Sequence, residues 1–249
     1  MKKIISFPIY GKSRLYLDGG LDNIDFIKKY YGKDWIPRFY IAENCPSLRD
    51  YQMATAFGRC ELRIMPPWGH VEGSTTNAAE HNSPVHGAML WRYNALFDDD
   101  VEVVLTRDAD SRCNPREVDS VMEWLDTGKP IHTMYDHPCH TNSIIMAGLT
   151  GWRAKIIRDG FRSFSYYQRA SEYFYQWYTT EGHKQGLRTV HIDNHHVYQL
   201  LVKPFGEESI YRCGIGTPNP LKVSMPGDNS CGEHLGSCVN EHLRFEEYQ

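Results

Sequence analysis

Short apolar runs alternate with segments of helical spacing along the first part of the chain, where KKIISF, NIDFIKKYYG, PRFYIAE, PSLRDYQMATAFG and CELRIMP follow one another. Strands separated by helices predict an α/β fold with a mostly parallel sheet, because parallel neighbours need a crossover and a helix supplies it. Further on, AMLWRYNALF has helical spacing, DDD breaks it, and VEVVLT is a continuous apolar run of the kind found in a strand covered on both faces. PREVDSVMEWLDTG carries its own start and stop signals, with Pro115 suited to a first helical position and Gly128 to a C-cap. PIHTMYDHP reads as another strand. The aromatic-rich stretch from Lys155 to Gly186 reads as one or two amphipathic helices, and RTVHIDNHHVYQLLVKPF as a strand, a turn and a helix.

The remaining segments lack a period. PPWGHVEGSTTNAAEHNSPVHG is a long loop by its Gly, Pro, Ser, Thr and Asn content. Beyond Tyr211 the chain is rich in Gly, Pro and Cys, so residues ~212–249 are expected to be an irregular tail of the same unit. With no internal repeat, residues 1–249 are read as one domain.

Composition narrows the partners. The chain is 41% hydrophobic and 23% charged, as in an ordinary globular protein, and its formal net charge of -4 offers no electrostatic draw to nucleic acid or an anionic membrane. A few placed cations and a metal ion would still accommodate a small nucleotide. The opening MKKIISFPIYG meets Pro8 and Gly11 too early for a signal-peptide core, and no apolar stretch approaches the ~20 residues of a membrane span. A soluble, cytoplasmic protein is therefore expected. Seven cysteines, an odd number, favour reduced thiols over a disulfide framework.

The chemistry concentrates at RDADSR, directly after VEVVLT. In an extended segment Asp108 and Asp110 project from one face and can share a cation. Carboxylates select hard ions such as Mg²⁺ or Mn²⁺, which take their remaining ligands from phosphate and water. The position adds weight, since ligands of open α/β sheets bind beyond the carboxyl ends of strands. In the plainer alternative Asp108 caps a turn and Asp110 pairs with Arg107 or Arg112. A second cluster, Cys231, His234, Cys238 and His242 in the tail, has zinc-type ligands at a spacing that matches no zinc motif.

The stretch from Leu90 to His140 resembles a family of glycosyltransferases with the nucleotide-diphospho-sugar transferase fold, through WRY, RDADSR, REVDSVMEWL and HTMYDHP, followed by IIMAGLTGWRA. SFPIYG and WIPRFYIAE extend the resemblance back to Lys2, and HIDNHHVYQLL adds a fainter match in which Asn194 stands where the family shows Gln. The resemblance implies a GT-A-like, Rossmann-type α/β sandwich and metal-dependent sugar transfer from a nucleotide-diphosphate donor to a glycan or other hydroxyl. Uridine diphosphate is the favoured nucleotide, with guanosine diphosphate possible. Phe7, Pro8, Tyr10 and Gly11 would then lie under the base, with Glu43 a candidate for base or ribose. Asp108 and Asp110, with His234, would hold Mn²⁺ or Mg²⁺. Arg92, Arg107 and Arg112 could bond the donor's phosphates. Asp193, ahead of Asp136, is the candidate base of an inverting reaction, while His137 and His195 are candidate sugar contacts. The alternative is a non-catalytic nucleotide- or carbohydrate-binding module of the same fold. Nucleotidyl transfer is disfavoured because PIYGKSR is not a glycine-rich basic loop. A phosphatase is disfavoured because the Asp pair lies mid-chain.

Overall fold

The computed structural model describes residues 1–67, 88–135, 143–161, 163–182, 184–186 and 192–214. Its sheet has seven strands in the order β3-β2-β1-β4-β6-β5-β7. These are β1 (Lys2–Ile9), β2 (Trp35–Ala42), β3 (Glu61–Met65), β4 (Val101–Arg107), β5 (Ile131–Tyr135), β6 (Leu149–Arg153) and β7 (Ile210–Gly214). Neighbouring strands run parallel except at β6, which is antiparallel to both β4 and β5. The helices are α1 (Arg14–Tyr30), α2 (Leu48–Ala56), α3 (Pro115–Thr127), α4 (Ala154–Asp159), α5 (Phe164–Trp177) and α6 (Ile192–His196), with a 3₁₀ helix over Leu90–Phe97. The protein is thus a mixed α/β sandwich with a mostly parallel central sheet, as the alternating pattern predicts.

Continuous apolar strands are explained by cover on both faces. On one face Phe7, Val103 and Leu105 join Leu17 of α1, Tyr51 of α2 and Trp124 of α3; on the other, Ile4 and Val104 join Tyr93, Ile157 and Leu201. β4 supplies both clusters because successive side chains alternate. From β1 the chain builds β2 and β3 outward on one side, then crosses to lay β4 on the other. The carboxyl ends of β1 and β4 therefore flank the point at which the winding direction reverses, where open α/β sheets leave a crevice.

Helix α3 starts and stops where its sequence signals lie. Asn114 caps it by accepting a hydrogen bond from the Glu117 amide at 3.1 Å, Pro115 occupies the first turn, and Gly128 closes it at φ 73°. The Lys155–Gly186 stretch divides into α4 and α5, and a π-helical turn over Tyr178–Gly182 follows. One expectation is corrected, and one segment that the pattern left unassigned takes shape. LTGWR is a strand, β6, and order persists through β7 to Gly214, into the segment expected to be irregular. β7 forms because Ile210–Gly214 pairs in parallel with Ile131–Tyr135. Most of the long loop, residues 68–87, lies outside the described residues, as do 215–249.

His132 of β5 is fully buried, its ring stacked 5.3 Å from Trp124 and 6.0 Å from Tyr211, with Nε2 3.0 Å from Ser120 Oγ. Burial, reinforced by Arg107, holds its pKa well below the ordinary value. The folded protein therefore keeps His132 neutral where an unfolded chain would protonate it. This contribution to stability is complete above about pH 6.5 and shrinks as pH falls below that, by about 1.4 kcal/mol per pH unit. Urea unfolding of wild type and His132→Phe between pH 7.5 and 5 is expected to show a shallower loss of stability on acidification in the variant; parallel slopes would refute the neutral buried imidazole.

Candidate active site at the ends of β1 and β4

β4 ends at Arg107, and the Asp-Ala-Asp that follows is a turn, not the extended segment the two-residue spacing suggested. Its shape is set locally: Ser111 Oγ donates to the Asp108 carbonyl at 3.0 Å, and Arg112 Nη1 donates to the Ala109 carbonyl at 3.2 Å. One face of α1 then clamps the turn. A Cβ at Gly19 would lie 2.0 Å from the Ala109 carbonyl oxygen, so only glycine admits this approach. One turn along, Asp22 pairs with Arg112 at 2.9 Å, while Asn23 donates to the Ser111 carbonyl at 2.7 Å and accepts from the Cys113 amide at 3.1 Å. The turn leaves the Asp108 side chain 48% exposed, within reach of a ligand, whereas Asp110 is only 6% exposed.

The centre of the site is Arg92, on the 3₁₀ helix and fully buried. Its carbonyl accepts from Ser6 Oγ of β1 at 2.8 Å. Its Nη1 donates to Asp108 Oδ1 at 2.5 Å and to the Arg107 carbonyl at 3.3 Å, and its Nη2 donates to Asp193 Oδ2 at 3.0 Å. Asp193 sits in the first turn of α6, its side chain 13% exposed, and also accepts from the Asn194 amide at 2.8 Å. Burial raises its pKa, Arg92 opposes the shift and Asp108 adds to it. The result is a carboxylate held closer to proton exchange than a surface aspartate.

Tyr10, just past β1, packs edge-on against Trp91 with ring centroids 6.4 Å apart. Burial raises its phenol pKa; Arg92 works against this, and the carboxylates of Asp108, Asp193 and Asp110 add to it. These electrostatic couplings place Tyr10 beside the cluster. Gly11 follows at φ 78° with open space around it, a conformation other residues rarely adopt. On the far side, the His195 ring lies 5.5 Å from that of Tyr178. Gly148, before β6, closes the arrangement: a Cβ there would fall 1.8 Å from Asp108 Oδ2.

The structure places the other candidate contacts as follows. Phe7 and Pro8 belong to β1 and are buried, with Phe7 stacked on Phe39 at 5.2 Å. Arg107 is turned into the sheet's other side, where its Nε bonds Glu117 at 2.8 Å and its Nη1 the Thr150 carbonyl at 2.8 Å. Arg112 is committed to Asp22 and the turn's own carbonyls. Arg92 is near Asp108 but buried beneath it, bonded to carboxylates. Asp193 opens a helix instead of ending a strand, and residues 187–191 before it are outside the described part. Asp136, His137, His234 and the tail's Cys231, Cys238 and His242 also lie outside the described residues. Among those described, no group of three or more His, Cys, Asp or Glu side chains is gathered to hold a metal. No described helix is long and apolar enough to cross a membrane.

Sequence reading missed Gly19, Asn23, Gly148 and Tyr178. The adjacent glycines at 19 and 20 were the available signal, since glycine inside a helix usually marks close packing.

No protein-family model matches the chain, and no curated protein matches it. Among solved structures it is similar to a mannosyltransferase from Pyrobaculum calidifontis in complex with GDP-Man and Mn²⁺, at 12% identity and a TM-score of 0.44 over 64% of this chain and 46% of that one. It is also similar to residues 1–349 of TarS from S. aureus, at 13% identity and a TM-score of 0.40 over 64% of this chain and 49% of that one. The matched part thus spans about half the length of either protein.

The close approach at Gly148 is testable. Gly148→Ala keeps an allowed backbone but drives a methyl group into the Asp108 carboxylate, so unfolding in urea is expected to show a loss of about 1–3 kcal/mol, with Asp108 displaced from Arg92 in a crystal structure of the variant. Unchanged stability with Asp108 in place would contradict the packing described.

Proposed function

We propose that the protein is a glycosyltransferase that takes a sugar from a nucleoside-diphosphate donor, with a divalent cation at Asp108 and Asp110 and with Asp193 as the base. The observation that carries this reading is the placement of Asp108. A half-exposed carboxylate stands at the winding-reversal crevice, joined through Arg92 to a second, buried carboxylate.

The turn's chemistry fits a hard cation. Its donors are carboxylate oxygens, and two such ligands suit Mg²⁺ or Mn²⁺, which complete their shells with substrate phosphate and water. When bound, the cation would act as a Lewis acid on the departing diphosphate. The chain's own residues do the rest. Tyr10 and Gly11, at the end of β1, offer an aromatic ring and an open backbone to the nucleoside. Asp193 accepts the proton of the acceptor hydroxyl as its oxygen forms a bond to the anomeric carbon. The bond from that carbon to the diphosphate breaks, and the leaving group keeps the electron pair. Desolvation of Asp193, which raises its proton affinity, suits a general base. The acceptor is a glycan or other hydroxyl compound, and the Tyr178–His195 pair flanks its approach. Uridine diphosphate sugars are the first donors to test, followed by guanosine diphosphate sugars.

The deciding measurement is a thermal-shift panel of nucleoside diphosphates and their sugars with Mn²⁺, with Mg²⁺ and with chelator, since a ligand of the native state at a hundred times its Kd stabilises by about 2.7 kcal/mol. A metal-dependent shift with one nucleotide is expected, and Asp110→Asn should abolish it without unfolding the protein. Asp193→Asn should keep the shift and lower turnover by about 10²–10⁴-fold. Nucleotide binding by the wild type with no transfer to any acceptor would favour a binding module, and near-normal nucleotide affinity in Asp110→Asn would remove the cation from this turn.

A further inference from the structure

Arg92 was expected to touch the donor's phosphates, but its surroundings assign it other work. The guanidinium has no exposed surface, and its two terminal nitrogens are divided between carboxylates from distant parts of the chain, Nη1 to Asp108 and Nη2 to Asp193. Among the described residues its Nε has no hydrogen-bond partner, and Arg92 also meets the Arg107 carbonyl and the ring of Tyr93, 5.7 Å from the guanidinium carbon. A buried cation with so few partners is kept charged by its carboxylates.

We propose that Arg92 is a positioning residue that fixes the spacing between Asp108 and Asp193, so that the diphosphate end and the acceptor end of the site are held as one rigid unit. This rests on the transferase reading above. The guanidinium is planar, and its two Nη atoms are a set distance apart, so the carboxylates they hold are also at a set distance. A lysine ammonium is a single point of charge and cannot make the same bridge. Two further contacts brace the pair. Gly148 leaves space for the second oxygen of Asp108, and Asn194 Oδ1 accepts from the Ala147 amide at 2.8 Å, so the start of α6 and the segment before β6 move together. This gives Asn194, which departs from the family pattern, a position in the same unit.

The bridge makes a prediction that simple pairing does not. Losing one carboxylate leaves Arg92 paired with the other, whereas losing both strands a buried cation. Thermal unfolding of the apoprotein should therefore show Asp108→Asn and Asp193→Asn combining to lower Tm by about 5 °C more than the sum of the single effects. In an Arg92→Met background, or Arg92→Gln should the methionine variant fail to fold, that excess should shrink or vanish. Arg92→Lys should bind uridine diphosphate with Mn²⁺ within about threefold of wild type while kcat falls about 100-fold at nearly constant KM, the signature of lost alignment and not of lost charge. Additive Tm effects, or full kcat in Arg92→Lys, would overturn the proposal. A wild type without turnover on any donor would defeat the transferase reading, and the unfolding cycle, which needs neither metal nor substrate, would still decide the bridge.

Discussion

A guanidinium with no access to water is the constraint on which the rest of this site depends. Removing a cation from solvent costs several kcal/mol, so Arg92 is tolerable only where carboxylates meet it. The fold supplies one from the turn after β4 and one from the first turn of α6, elements 101 residues apart from Arg92 in the second case. Because Asp193 can reach Arg92 only when α6 is docked, assembly of the sandwich and assembly of the site are one event. The same pairing sets the electrostatics: burial raises the proton affinity of Asp193 and Arg92 opposes that rise, at a carboxylate that is poorly solvated.

The turn itself needs a rigid support, and α1 provides it. Helix α1 packs against the sheet through Leu17, Ile24 and Ile27, while Gly19, Asp22 and Asn23 on the neighbouring face receive the 109–113 backbone. The missing side chain at Gly19 brings the helix against the Ala109 carbonyl, and the Asn23 amide then bonds on both sides of Arg112. On the same face of the sheet, the buried Arg107–Glu117 pair, joined by the Tyr31 hydroxyl at 2.5 Å, anchors the same strand end to α3 and to the end of α1. An arginine that looked like a phosphate contact from its sequence neighbourhood is thus part of the scaffold. The alternation of strand side chains sends Arg107 away from the face that Asp108 serves.

This alternation explains what could be read from the chain and what could not. β1, β2 and β4 are runs of apolar, often β-branched residues, and α3 has Pro115 and Gly128 at its ends, so each was legible from local signals. β6 was not, because LTGWR contains a glycine at its centre and only five residues. Gly151 is there for a tertiary reason: a Cβ would lie 2.8 Å from the ring of Trp124 on α3. The Asp108–Asp110 pair was found by its place after a strand, but its shape was misjudged, since nothing local announced the Ser111 hydroxyl bond that folds the segment. Phe7 and Pro8 were expected under the base from the family resemblance alone, whereas β1 continues through Pro8 to Ile9. Arg92 and Asp193 were each picked out, but their meeting is a property of topology.

The reversed direction of β6 has a consequence for the candidate site. A parallel strand beside β4 would put its amino end, with the segment leading into it, at the far edge of the sheet. Running antiparallel, β6 instead starts at the carboxyl end of β4, and Leu149 pairs with Arg107. Gly148 is therefore delivered against Asp108, and Ala147 lies within reach of Asn194 on α6. One inverted strand in an otherwise parallel sheet thus brings together the four segments that meet at this crevice: the end of β4, the 3₁₀ helix bearing Arg92, the 143–148 segment and the start of α6. Fixed dipoles and charges stabilise a transition state only if they need not rearrange when it forms. On the proposed transferase reading, Asp108 and Asp193 meet that condition because each is held by Arg92, which is itself buried and bonded, so the geometry exists before any ligand arrives.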